Sequence, residues 1–225
     1  AIPEGADALV ATAVEAFGRI DVLVNNAGII RWAGLPEADA ANLEAHLAVH
    51  VGGSFNTTRA AWPHLVEQGY GRIVMTTSAG FFGLPTNLGY ATAKGGVIGM
   101  TRSLSVAGAR HGIKVNLIAP AATTRMAGEQ SAAVPDLPPE QVAPMVAFLA
   151  HEACPVTGEC IESVGGELFR HYMARTPGFT DRDHTIETIA ERFGEIMDGA
   201  PDGLIGLAAH DTTGWKVRAY DGNPA

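Results

Sequence analysis

Asp21-Val22-Leu23-Val24-Asn25-Asn26-Ala27-Gly28 is an apolar strand closed by two amides and a glycine, and the same design returns further along the chain. Gly71-Arg72-Ile73-Val74-Met75-Thr76-Thr77-Ser78-Ala79-Gly80 reads as a buried strand running into a hydroxyl-rich turn, and Ile113–Ile118 as a further strand. Helical spacing fills the intervals. Residues 6–17 carry Leu9, Val10, Ala13, Val14 and Phe17 at helical positions, with Gly18 placed to stop the helix. Asp39–Gln68 reads as one long helix or a broken pair, with Leu43, Leu47, Val51, Phe55 and Leu65 among its buried candidates, and Gln141–His151 looks helical. Glu159–Val164, followed by Gly165-Gly166, reads as the last strand. Strands alternating with helices put the chain in the α/β class, as one globular domain with a sizeable core.

The chemistry concentrates in Gly89-Tyr90-Ala91-Thr92-Ala93-Lys94-Gly95-Gly96. On a helix, Tyr90 and Lys94 leave the same face one turn apart, which sets an ammonium beside a phenol. A free phenol titrates near pH ~10; a neighbouring cation favours the phenolate and is expected to pull that value toward the working range. Upstream, Ser78 and Thr77 bring a hydroxyl toward the same place. Strand registry from Gly71-Arg72-Ile73 selects Ser78 as the partner of Tyr90, with Thr77 as the runner-up. His46 and His50 stand four residues apart. That spacing suits zinc, but the residue beside the first His is Leu47 and no third ligand is evident, so no metal site is expected.

Taken together, the Asn25-Asn26-Ala27-Gly28 strand end, the hydroxyl at Ser78 and the Tyr90-x-x-x-Lys94 pair resemble the short-chain dehydrogenase/reductase family in kind, order and separation, from about residue 8 to about residue 198. The resemblance implies an oxidoreductase that moves a hydride between NAD or NADP and a secondary alcohol or ketone. It assigns Tyr90, Lys94, Ser78 and His50 to catalysis, and Asn26, Ala27, Gly28, Tyr90, Lys94 and Thr123 to the cofactor. His50 stands where most of the family has an Asn that holds a proton-relay water; a His can supply that hydrogen bond and titrate near neutrality. His50 before Gly53-Ser54-Phe55, together with Thr58-Arg59-Ala60-Ala61-Trp62, is most similar to the (3R)-hydroxyacyl-CoA dehydrogenase branch, which includes the dehydrogenase domains of peroxisomal multifunctional enzymes and bacterial relatives. That points to acyl-CoA substrates. Where family members have Pro-Gly after the later strand, this chain has Pro120-Ala121, before Thr123-Thr124-Arg125-Met126. The small residues Ala91, Ala93, Gly95, Gly96 and Gly99 suit close helix packing, and the resemblance implies a homodimer or tetramer.

The family fold opens with a strand and a Gly-rich turn that binds pyrophosphate at a helix N-terminus, whereas only Gly5 and Gly18 precede the Asp21 strand here. The expected architecture is therefore an incomplete doubly wound parallel sheet, Rossmann-like, lacking the first strands, with a C-terminal helical extension. The Asp21 strand becomes an apolar sheet edge unless a longer product or a partner covers it. A catalytically impaired fragment or partner subunit is the alternative function.

A net charge of −9 argues against nucleic-acid or anionic-membrane partners. With no long apolar span and no leader of the secretory kind, a cytoplasmic location is the default. Cys154 and Cys160 read as free thiols. Gly128–Pro139 reads as a lid or surface loop. Domain boundaries are set at 1–169 for the catalytic part, 170–198 for the helical extension, with Thr180-x-x-Asp183 as a capping box before Ile186, Ile189, Phe193 and Ile196, and 199–225 for a flexible tail.

Overall fold

The computed structural model describes residues 2–124, 126, 137–198, 203–206 and 216–219. The chain divides into two compact units, Ala1–His171 and Tyr172–Ala225.

The first unit is a five-stranded sheet in the order β1-β2-β3-β4-β5. Strands β1 (Val22–Asn25), β2 (Gly71–Thr76), β3 (Ile113–Ala121) and β4 (Cys160–Val164) run parallel. The strand expected to be last is followed by another: β5 (Glu167–His171) returns antiparallel to β4 across Gly165-Gly166. Two glycines with positive φ make that tight reversal accessible, and the short segment that follows lay below any periodicity signal. Every residue of β2 is buried, as a central strand covered on both faces requires.

Helices α1 (Pro3–Phe17), α3 (Ser54–Glu67) and α4 (Leu88–Ala109) cover one face, where Val10, Leu65 and Val97 pack on Leu23, Ile73, Met75, Val115 and Leu117. Helix α5 (Ala143–Ala150) covers the other, with Leu149 and Val142 against Val74 and Ile118. The alternation of Ile73 and Met75 with Val74 between the two clusters is the period of two expected of a strand. The long helical stretch is one continuous rod with a defect: α2 (Ala40–His46), capped by the Asp39 carboxylate on the Asn42 N–H, passes through a π-helical segment at Leu47–Gly53 into α3. Such segments shift the hydrogen-bond register and tend to occur at functional sites.

Among the described residues β1 pairs with β2 alone and forms the sheet edge. Val22 and Val24, on its uncovered face, are 40% and 43% exposed. The incomplete parallel sheet expected from the sequence is thus the one observed.

In the second unit, α6 (Ile186–Met197) is the expected amphipathic helix, but its cap is Thr185, which accepts from the Thr188 N–H, and not the Thr180 box. The cap must lie immediately before the first helical turn to reach its amides. Residues 199–225, expected as a flexible tail, include β7 (Gly203–Gly206) and β8 (Lys216–Ala219), paired antiparallel with each other; β6 (Ala174–Arg175) pairs with β7. Backbone pairing across 30 residues of sequence is a long-range contact that local composition does not report. Residues 127–136, most of the expected lid, lie outside the described residues, as does Arg125.

Candidate active site

In a parallel sheet the carboxyl ends of all strands share one rim, and the residues that leave β1, β2 and β3 meet there. Asn26, Ala27 and Gly28 follow β1, Thr77 and Ser78 follow β2, and Thr123 follows β3. Tyr90 and Lys94 come to the rim from the first turns of α4, and His50 from the π-helical segment.

Lys94 is 3% exposed and its Nζ donates to the Thr76 carbonyl at 2.8 Å. Its Nζ lies 5.5 Å from the Tyr90 ring centroid. Burial lowers its pKa from 10.5 to about 8, so it remains mostly an ammonium at neutral pH. The two hydroxyls of the turn have different fates. Thr77 is 1% exposed and donates to the Lys94 carbonyl at 3.0 Å, a bond that ties the strand end to α4. The Ser78 Oγ accepts from the Gly80 N–H at 3.0 Å and faces the Tyr90 ring across Gly80, where a Cβ would lie 3.2 Å from Ser78 Oγ and 3.1 Å from Tyr90 Cε1. The structure therefore brings Ser78, not Thr77, to Tyr90. Burial raises the Tyr90 pKa and the neighbouring Ser78 hydroxyl opposes that rise. This corrects the expectation that Lys94 would pull the phenol down: desolvation is the larger effect, and the phenol keeps its proton at neutral pH.

His50 differs from expectation as well. Burial, the Lys94 cation and His46 depress its pKa to about 4, so it is a neutral imidazole at pH 7 and does not titrate near neutrality. Its Nε2 is 2.7 Å from the Ile29 carbonyl and 3.3 Å from the Ile29 N–H. One nitrogen cannot donate and accept at once; the shorter contact assigns its proton to the carbonyl. The ring also explains Gly28, where a Cβ would come within 2.6 Å of His50 Cε1. His46, for its part, donates from Nδ1 to the Asn42 carbonyl at 2.7 Å and accepts at Nε2 from the Arg31 N–H at 3.1 Å. Both nitrogens of His46 are thus committed to backbone, and among the described residues no group of three His, Cys, Asp or Glu is placed to hold a metal ion.

The remaining cofactor candidates separate. The Asn26 amide oxygen accepts from the Thr76 hydroxyl at 3.4 Å, and Asn26 and Ala27 help line a pocket of about 390 Å³ that also takes in Leu9, Val24 and Val49. Thr123 donates its own N–H to the Leu137 carbonyl at 2.8 Å, and its Oγ1 accepts from the Leu137 N–H, so its amide is already engaged.

Sequence reasoning missed Asn87 and the structural use of Asn25. Asn87 is buried at the N-cap of α4, yet its side chain ignores the helix: Oδ1 accepts from the Leu84 N–H at 2.8 Å and Nδ2 donates to the Gly80 carbonyl at 3.0 Å. It fixes the loop between Ser78 and Tyr90. Asparagine ahead of a helical run was the available signal, and it points to a cap that is not made. Asn25 bonds Thr58 and Met75 through Nδ2 and accepts from Thr57, bolting β1 to α3.

Comparison with known proteins follows the same lines. A family model described as short chain dehydrogenase matches residues 2–134. The peroxisomal multifunctional enzyme type 2 of Drosophila melanogaster is 37% identical over 201 residues, covering 84% of this chain and 33% of that protein. A short-chain type dehydrogenase/reductase of Mycobacterium tuberculosis is 36% identical over 202 residues, covering 88% of this chain and 71% of that protein. The crystal structure of a short chain dehydrogenase from Mycobacterium avium superposes with a TM-score of 0.73 at 33% identity, covering 88% of this chain and 73% of that one. The chain spans about a third of the length of the Drosophila relative.

Proposed function

This chain belongs to the short chain dehydrogenase family, and we propose that it carries the catalytic part of a nicotinamide-dependent dehydrogenase acting on 3-hydroxyacyl-CoA or a similar secondary alcohol or ketone. The observation that carries this reading is the convergence of Ser78, Tyr90 and Lys94 at one rim of the sheet, with the Ser78 hydroxyl and the Tyr90 ring meeting across Gly80 and the ammonium beside that ring.

The residues fit the ribose and nicotinamide half of such a cofactor. An ammonium has three N–H donors, and Lys94 commits one to Thr76, which leaves donors for ribose hydroxyls. Asn26, Ala27 and Gly28 would line the adenosine side. No Gly-rich turn for the pyrophosphate lies between residue 2 and β1. The cofactor, when bound, accepts or supplies the hydride.

The rest falls to the chain's own side chains. Tyr90, protonated at neutral pH, is arranged to donate its proton to a ketone oxygen during reduction and to recover it during oxidation. Ser78 donates toward the oxygen on which negative charge develops. His50 is neutral and acts by holding the Ile29 carbonyl, without a charge change of its own. The acyl-CoA class is supported by relatives named as peroxisomal multifunctional enzymes and hydratase-dehydrogenase-epimerases. Those names give no support to a cytoplasmic location. Among the described residues no helix is long and apolar enough to cross a membrane. A homodimer or tetramer remains part of the reading through the small residues of α4.

A second reading, a catalytically impaired fragment or a partner subunit, is favoured by the exposed face of β1 among the described residues. Titrating the 225-residue chain with NADH and NADPH by fluorescence, and assaying 3-ketoacyl-CoA reduction beside Tyr90→Phe, separates the two. Dehydrogenase function predicts binding by both proteins and a loss of turnover of about 10²-fold or more in the variant. Failure to bind either cofactor would leave the partner-subunit reading.

A further inference from the structure

One group near the site has no part in the chemistry above. His46 is fully buried, one turn before His50 on the same helix, and it is engaged from every side. Its ring stacks on that of His50, with centroids 6.1 Å apart and planes 7° from parallel. Both imidazoles make T-shaped contacts with the Tyr90 ring, with centroids 6.1 Å away for His46 and 5.4 Å for His50, at near-perpendicular angles of 80° and 86°. Asn42, one turn earlier still, donates from Nδ2 to the Arg31 carbonyl at 3.1 Å, while His46 accepts from the Arg31 N–H and His50 meets Ile29. Residues i, i+4 and i+8 of one helix thus grip alternate residues of the chain leaving β1, as a neighbouring strand would.

We propose that His46 is a positioning residue of the Tyr90 site: it fixes the Arg31 backbone and, with His50, forms the two-ring wall that sets the orientation of the Tyr90 phenol. Both duties need the same neutral tautomer. With its proton on Nδ1 and donated to Asn42, the ring leaves Nε2 as an acceptor for Arg31. The approach of α4 is built around this wall, since a Cβ at Gly89 would lie 2.9 Å from His46 Nδ1 and 2.6 Å from Asn42 Oδ1. A glycine directly before Tyr90 lets the helix start come close enough for the phenol ring to rest on both imidazoles. T-shaped aromatic contacts of this kind favour one orientation over its neighbours.

The effect on turnover rests on the dehydrogenase reading, but the positioning itself is measurable without it. Two variants in the full chain separate the ring from its hydrogen bonds. His46→Phe keeps an aromatic wall and loses both bonds; His46→Leu loses the wall as well. With ¹³C-labelled tyrosine, assigned through Tyr90→Phe, and amide hydrogen exchange, His46→Phe is expected to leave the Tyr90 ring signal in place while Arg31 exchange rises about tenfold. His46→Leu is expected to move the Tyr90 signal and, where the wild type turns over, to lower kcat about tenfold with KM within about twofold. A Tyr90 signal and kcat unchanged in His46→Leu would overturn the proposal, as would an Arg31 amide indifferent to His46→Phe. Absence of turnover in the wild type would count against the dehydrogenase reading alone, since the ring signal and the exchange rate still report on His46.

Discussion

Lys94→Met tests the electrostatics of the site through stability. Lys94 is held at a pKa of about 8 by burial, against 10.5 for the free side chain. The unfolded chain therefore takes up a proton near pH 10.5 and the folded chain only near pH 8. As pH falls between those values the unfolded state binds more protons, so wild-type stability falls with it, and the loss is complete below about pH 8. At about 1.4 kcal/mol per pKa unit, the buried ammonium costs about 3 kcal/mol at pH 7 and under about 1 kcal/mol at pH 10. Methionine has a similar length and no charge. It also strands the Thr76 carbonyl that Lys94 meets at 2.8 Å, a penalty common to both conditions. Urea unfolding of both proteins at pH 7 and pH 10 cancels that shared penalty and the titration of other groups. The stability of Lys94→Met relative to wild type should be greater at pH 7 than at pH 10 by about 2–3 kcal/mol. A change smaller than about 0.5 kcal/mol would refute the reasoning, because the lysine would then be solvated in the folded state. If the difference is found, Lys94 is a cation kept where its burial in the charged form costs stability, as a group retained for chemistry should be.

Ser78→Ala should lower kcat by about 10²-fold or more with little change in melting temperature, whereas Thr77→Val should cost about 1 kcal/mol of stability and leave most activity, measured by steady-state reduction and thermal unfolding. The reverse pattern would return Thr77 to the role of partner hydroxyl. Gly28→Ala drives a methyl group to within 2.6 Å of His50 Cε1 and should destabilise by about 1–3 kcal/mol while displacing the imidazole, read by urea unfolding and His NMR. Arg72 donates to the Gly71, Gly112 and His151 carbonyls beneath the sheet, so Arg72→Leu should cost about 3 kcal/mol or more by the same unfolding assay, without altering KM in any protein that remains folded. The Cys160 thiol is pushed up to about 12 by burial and by Glu162 and Glu159, and Cys154 is buried, so neither should react with a disulfide reagent at pH 8 until the chain is unfolded.

The sequence by itself determined the elements and the order of the chemistry. The apolar runs at Val22, Ile73 and Val115 became parallel neighbours because each is covered on one face or both by the helices between them, and that periodicity is local. Tyr90 and Lys94 could be paired from a spacing of four because a helix fixes which side chains share a face. Strand registry gives Thr77 and Ser78 different surroundings for a related reason: just past β2, Thr77 donates to the Lys94 carbonyl in the core and the Ser78 Oγ accepts from the Gly80 N–H at the rim.

What the tertiary structure decided were the quantities that depend on surroundings. The phenol was expected low and is high, and the imidazole was expected near neutrality and is near 4, because burial is a property of everything packed around a group and not of its neighbours in sequence. Asn87 looks like a helix cap and acts as a loop clamp, since its partners Gly80 and Leu84 lie in a loop whose path no local rule describes. Likewise His46 and His50 suggest a metal pair by spacing alone; only the folded chain shows their nitrogens turned to the backbone of Arg31 and Ile29 and their rings to Tyr90. Spacing states which side chains can meet on one helix, and packing against a distant segment decides what they meet.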